Sequence, residues 1–155
     1  MQKKKIFKKW HLIILVPIIS FVLFYLWIEY QQSTREVIDV DDISNIKVLL
    51  DKNSDPSKAT IEGKINLKKF ERISTISAEL KEGIIYIYLT KTKGLSDQSN
   101  FSQSLSKILV SHDSNAVNKI AFVSGENIIV INKKDHTQSY IDVSNYDNIK
   151  VIWNN

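Results

Sequence analysis

The most suggestive spacing of chemistry-bearing residues is Asp51, Asn53 and Asp55 followed by Glu62, at positions 1, 3, 5 and 12 of a twelve-residue frame. Oxygen ligands at that spacing wrap a calcium ion in a helix–loop–helix hand. Here position 6, where glycine makes the sharp turn, is Pro56, and position 8 is Lys58 in place of an apolar residue. The flanks, IKVLL and GKINL, alternate as strands do. An ordinary Asn/Asp/Pro turn between two strands accounts for the same residues, so no metal is assigned. Asp39, Asp41 and Asp42 form a second acidic cluster with no histidine or patterned glutamate beside it, and read as a solvated segment.

His112-Asp113 and Asp135-His136 are adjacent pairs that would serve a hydrolytic triad if a serine joined one of them. Neither pair comes with a G-x-S-x-G elbow, and the chain has neither a phosphate-cradling P-loop nor a dinucleotide glycine fingerprint. Zero cysteines remove thiolate catalysis, disulfides, iron–sulfur clusters and cysteine-based zinc sites together. The expectation is a non-enzyme with no cofactor. A surface enzyme or metal-dependent domain built on the acidic turns and His/Asp pairs is the alternative. Tyr86 and Tyr88 share one face of the run Ile84–Leu89 and form the candidate recognition surface, while Phe101, Phe122 and Trp153 are assigned to packing.

These residues need a scaffold, and the charge distribution locates it. Of the 21 basic residues, Lys3, Lys4, Lys5, Lys8 and Lys9 fall in the first nine positions, and no acid precedes Glu29. From residue 10 onward acids outnumber bases by one. The net charge of +4 is therefore a property of the tip, and a basic stripe for nucleic acid is excluded. Behind the lysines, residues 12–28 (LIILVPIISFVLFYLWI) carry no charge. Residues 10–30, at about 1.5 Å per residue, reach roughly 31 Å, the thickness of a bilayer's hydrocarbon core. Trp10 on one side and Trp27 and Tyr30 on the other suit the two membrane–water interfaces. A cleaved signal peptide is the rival reading, but the apolar run is too long and Trp27 to Gln31 offers no small-x-small site. The expectation is an uncleaved anchor, cytoplasmic at its lysine end, with a kink at Pro17.

The organisation that follows is a basic cytoplasmic tip (1–9), a transmembrane helix (10–30), a polar stalk (31–42) and a β-rich extracytoplasmic domain (43–155). Ile46, Val48 and Leu50 alternate with polar neighbours, as do Ala59, Ile61, Gly63, Ile65 and Leu67. Ile76, Ala78 and Leu80 lead through Lys81-Glu82-Gly83 into IIYIYL, a hairpin signal. A second hairpin is expected from KIAFV through Ser124–Asn127 into IIVI, and short runs at 140–143 and 149–153 end the chain. Phe101, Leu105, Ile108, Leu109 and His112 recur at helical spacing. The expected fold is mainly β: a transmembrane helix and then an antiparallel β-sandwich-like domain, α+β in detail if residues 97–111 form one short helix.

The lysine-led anchor, the acidic stalk, the central ISAELKEGIIYIYLTKTKG and the ending KVIWNN resemble small N-terminally anchored extracytoplasmic proteins of AT-rich Gram-positive bacteria. That resemblance implies a cell-envelope location and transfers no functional residue. The expected function is a single-pass, membrane-anchored binding or interaction module, an accessory subunit of an envelope or secretion machine. Its partners are the lipid bilayer, through residues 12–28, and another envelope protein. An envelope immunity protein would share all of these features.

Overall fold

A computed structural model describes residues 3–51, 54–96, 98–109, 116–125, 128, 130–131, 140–141 and 146–155, with only the backbone course for 3–12, 130–131 and 140–141. Helix α1 (Lys3–Ser33) runs for 31 residues, about 46 Å at the helical rise. Pro17 lies within it. Proline has no N–H, so the carbonyl of Ile13 loses its usual helical donor there. One turn on, the Ser20 hydroxyl donates to the Val16 carbonyl at 2.9 Å.

The strands are β1 (Glu36–Val37), β2 (Ile43–Leu49), β3 (Thr60–Ile65), β4 (Glu71–Lys81), β5 (Ile84–Lys93), β6 (Asn100–Ser104), β7 (Lys119–Ser124), β8 (Val130–Ile131), β9 (Tyr140–Ile141) and β10 (Asn148–Asn154). The first sheet is centred on β5. The hairpin partner β4 covers one whole edge of β5, from Glu71↔Lys93 to Lys81↔Ile84. The opposite edge is shared: β7 takes Ile84 to Ile87 in parallel, and β1 takes Thr90 and Lys91 antiparallel. β10 then pairs antiparallel with β7. The second sheet is the antiparallel set β2-β3-β6, and β8 pairs with β9 in a small ribbon. Among the described residues neither main sheet closes on itself.

Local chemistry explains the joints. The β4–β5 hairpin turns on Glu82 (φ 53°) and Gly83 (φ 76°), the two positive φ values of a type I′ turn that matches strand twist. In β2, Asn45 at φ 52° forms a bulge, where Asn45 and Ile46 face the single residue Gly63. Phe101 lies over Gly63, so close that a Cβ there would sit 2.7 Å from the ring. The same ring meets Phe122 of the first sheet edge-on at 6.1 Å. One core cluster therefore spans both sheets, with Ile61, Ile65 and Phe101 from one and Ile85, Ile87 and Phe122 from the other.

The outcome differs from the sequence expectations at four places. The sheets are not purely antiparallel, because β5 and β7 run side by side in parallel. Among the described residues the second hairpin is absent, since β7 is buried on both faces, needs a strand at each edge, and takes β5 and β10. Its assumed return strand supplies β8, which pairs with β9. The described part of 97–111 is not a helix but strand β6 and a 3-10 turn over Leu105–Lys107, with Leu109 bridging to Ala78. Finally, residues 31–42 are structured: α1 continues to Ser33, β1 follows, and Ile38 and Val40 are buried in the core.

Candidate functional site

The end of α1 is joined directly to the end of β5. The Thr92 hydroxyl donates to the Gln31 carbonyl, and the Lys93 amide donates to the Thr34 hydroxyl at 3.2 Å. The Gln31 side-chain amide donates to the Lys93 carbonyl at 3.2 Å and its oxygen accepts from Arg72 at 3.3 Å. The helix holds, within Ile13–Ser33, an 18-residue window of mean hydropathy 2.1, none of it buried, and is long and apolar enough to cross a membrane. Lys3, Lys4, Lys5, Lys8, Lys9 and Trp10 fall within α1. Trp27 and Tyr30 lie near its other end with ring centroids 5.9 Å apart.

Beside this joint sits a buried carboxylate, Glu71, only 3% exposed. It accepts from the Lys68 amide at 3.0 Å and from the Lys93 ammonium at 3.1 Å, and pairs with Lys91 at 3.5 Å. Lys91 also reaches Glu36 at 3.3 Å, so the ions bind β4, β5 and β1 together. Burial pushes the Glu71 carboxyl up, but the Lys68 amide and the two ammonium groups outweigh it and hold it below its ordinary value. For Lys91, burial pulls down while Glu36 and Glu71 pull up more strongly, leaving it raised.

An open groove of about 810 Å³ lies between β4 and β6. One wall is β4 at Ile73–Ile76, where Ser74 forms a bulge, and the other is β6 at Asn100–Gln103. Among the described residues no strand pairs with the outer edge of β6, and β4 has only the Ala78–Leu109 bridge above the groove. The lining includes Lys47, Glu62, Lys64 and Ser102, and the Ser102 hydroxyl donates to Glu62 at 3.2 Å. Unpaired strand edges flanking a polar groove are suited to receiving an extended chain, which would satisfy them with main-chain hydrogen bonds.

The residues singled out from sequence distribute unevenly around this groove. Glu62 lines it, on the polar face of β3, while Asp51 and Asp55 lie outside it; Asp55 caps a 3-10 turn by accepting from the Ser57 amide at 2.9 Å. Asn53 lies outside the described residues, as do His112, Asp113, Asp135 and His136. Asp39 caps another 3-10 turn, accepting from the Asp41 amide at 3.0 Å. Among the described residues no three His, Cys, Asp or Glu side chains gather as a metal site. Tyr88 is 4% exposed and packs with Val123 and Ile128, and Tyr86 is half-buried 5.6 Å from the Tyr146 ring. The two tyrosines therefore form a second small core on the outer face of the sheet and do not present an open aromatic surface. Burial pushes both phenols up, with Ser77 opposing at Tyr88 and Tyr146 adding at Tyr86.

The edges of the groove escape sequence reasoning because their openness depends on which strands find partners, which no local pattern states. Glu71 escapes it too, since in KKFERIS it reads as one more surface charge. Compared with protein-family models, curated proteins and solved structures, the chain matches none of them.

Proposed function

We propose that this chain is a single-pass, membrane-anchored extracytoplasmic binding module with a sandwich-like domain, and that it recruits an extended segment of another envelope protein into the groove between β4 and β6. The observation carrying this reading is the combination of two open strand edges around one polar groove with an apolar, unburied helix bonded to the same domain. Strand addition takes affinity from main-chain hydrogen bonds and specificity from side chains such as Lys47 and Glu62. The lysine-led tip supports an orientation with the N-terminus cytoplasmic and the domain outside.

A photo-crosslinking residue placed at Ser102 in the full-length protein, irradiated in native membranes, is expected to trap one discrete envelope partner. The same probe at Leu49, exposed at the far end of β2, is expected to trap none. Equal labelling from both positions would overturn the groove as the site. Protease added to intact protoplasts should digest the domain and spare the lysine tip, and a protected domain would overturn the orientation.

A further inference from the structure

We propose that the domain makes a second contact with the membrane, in which Phe70 and Leu95 seat in the interfacial layer and Lys68 and Lys69 meet anionic headgroups. This rests on α1 being the membrane anchor.

Residues Lys68 to Glu71 form a β-turn closed by the Glu71 amide donating to the Lys68 carbonyl at 3.0 Å. Phe70 occupies its third position at φ 65°, the seat of a type II turn that favours glycine. A bulky aromatic there is strained. It gains little burial in return, because Phe70 is 55% exposed. Leu95, at 86%, is the most exposed of the large apolar side chains described, and it lies one residue past Gly94, whose amide donates to the Phe70 carbonyl at 2.9 Å. Both line one groove with Lys64, Lys68 and Lys69. The Lys69 ammonium stands 5.1 Å from the Phe70 ring centroid. Glu71, the acid of the turn, is buried on Lys91 and Lys93 and leaves the lysine charges uncancelled at the surface.

Topology puts this patch at the helix end of the domain. β1 leaves α1 and runs antiparallel to β5, so the C-terminal end of β5 heads back towards the helix. Lys93 and Arg72, which flank the patch in sequence, are the residues bonded to Gln31. A helix that carries its apolar surface to Tyr30 brings Phe70 and Leu95 close to the bilayer surface. Aromatic and aliphatic side chains ringed by lysine fit that layer, the rings at headgroup depth and the ammonium groups on anionic lipid.

The chain has no cysteine, so single-cysteine variants carry a unique spin label. Ser96→Cys reports on the patch, Phe24→Cys on the helix, and Leu49→Cys on the distal end of the domain. Full-length protein in vesicles of phosphatidylcholine and phosphatidylglycerol is expected to show the Ser96 label shielded from a water-soluble nickel relaxant and accessible to oxygen. The Leu49 label is expected to be fully open to nickel. Adding Phe70→Gly with Leu95→Ser should return the Ser96 label to water-like accessibility without lowering the melting temperature, since glycine suits the turn. A Ser96 label as open as Leu49 while Phe24 is in lipid would overturn the second contact and leave the anchor standing. A Phe24 label open to water would overturn the anchor reading and this one with it. Spin–spin broadening at Ser96 would place a second copy of the chain on the patch and overturn lipid docking.

Discussion

The Thr34 and Thr92 hydroxyls lie 3.0 Å apart, joining the last turn of α1 to the end of the central strand. Because the Lys93 amide and the Gln31 carbonyl bond to the same two hydroxyls, the helix enters the domain without a free linker.

Removing both hydroxyls, as Thr34→Ala with Thr92→Val, is expected to cost about 1–3 kcal/mol, from roughly 1 kcal/mol per hydrogen bond lost and the desolvated groups left behind. Trypsin cleavage after Arg35, slow in the parent, should become fast relative to cleavage within the sheets. Unchanged cleavage would mean the junction is held by something other than these hydroxyls.

Glu71 is expected to contribute to the loss of stability in acid. Its folded carboxyl titrates below its ordinary value, so its contribution is present above the unfolded value, about 4.3, and is lost as pH falls through the lower folded one. The melting temperature should therefore drop below about pH 4 in the parent. In Glu71→Gln that acid step should flatten, with an overall loss of about 1–3 kcal/mol at neutral pH. A parent-like acid step in the variant would assign the effect to other carboxylates.

The phenol of Tyr88 gives the opposite end of the pH scale. Burial raises its folded value, so its share of stability is complete below the unfolded value of about 10 and is lost as pH rises through the folded one. Thermal unfolding followed at alkaline pH should show a fall that Tyr88→Phe reduces. Ultraviolet titration should show one late-ionising tyrosine missing in that variant.

Gly83→Ala is expected to destabilise the protein by about 1–3 kcal/mol. The new methyl would sit at φ 76° and 2.9 Å from the Ala116 carbonyl oxygen. Chemical denaturation would measure it, and a neutral result would show that the loop at Ala116 yields freely.

Elements encoded by local pattern are legible in the residues themselves. Ala59, Ile61 and Ile65 alternate in sequence and are buried around and within β3, and the Lys81–Gly83 signal is the turn of the central hairpin. Pairing between distant strands is not legible in the same way. The unbroken run Ile120–Val123 marks a strand buried on both faces, as parallel strands are, but nothing in it names β5 as the neighbour. Phe101 and Leu105 have helical spacing because a strand ends and a turn begins between them, and both still reach the core. Ile38 and Val40 are concealed by the acids around them. The groove inherits this limit, since its walls belong to two different sheets.

The hydroxyl joint at Thr34 and Thr92 has a bearing on orientation. A domain on a loose tether sweeps a hemisphere above its membrane and meets partners from any side. On the anchor reading proposed above, the strand edges would turn with the helix, and their height and compass direction would be inherited from how α1 sits in the lipid. A neighbouring protein that gripped α1 inside the bilayer would thereby aim the groove outside it.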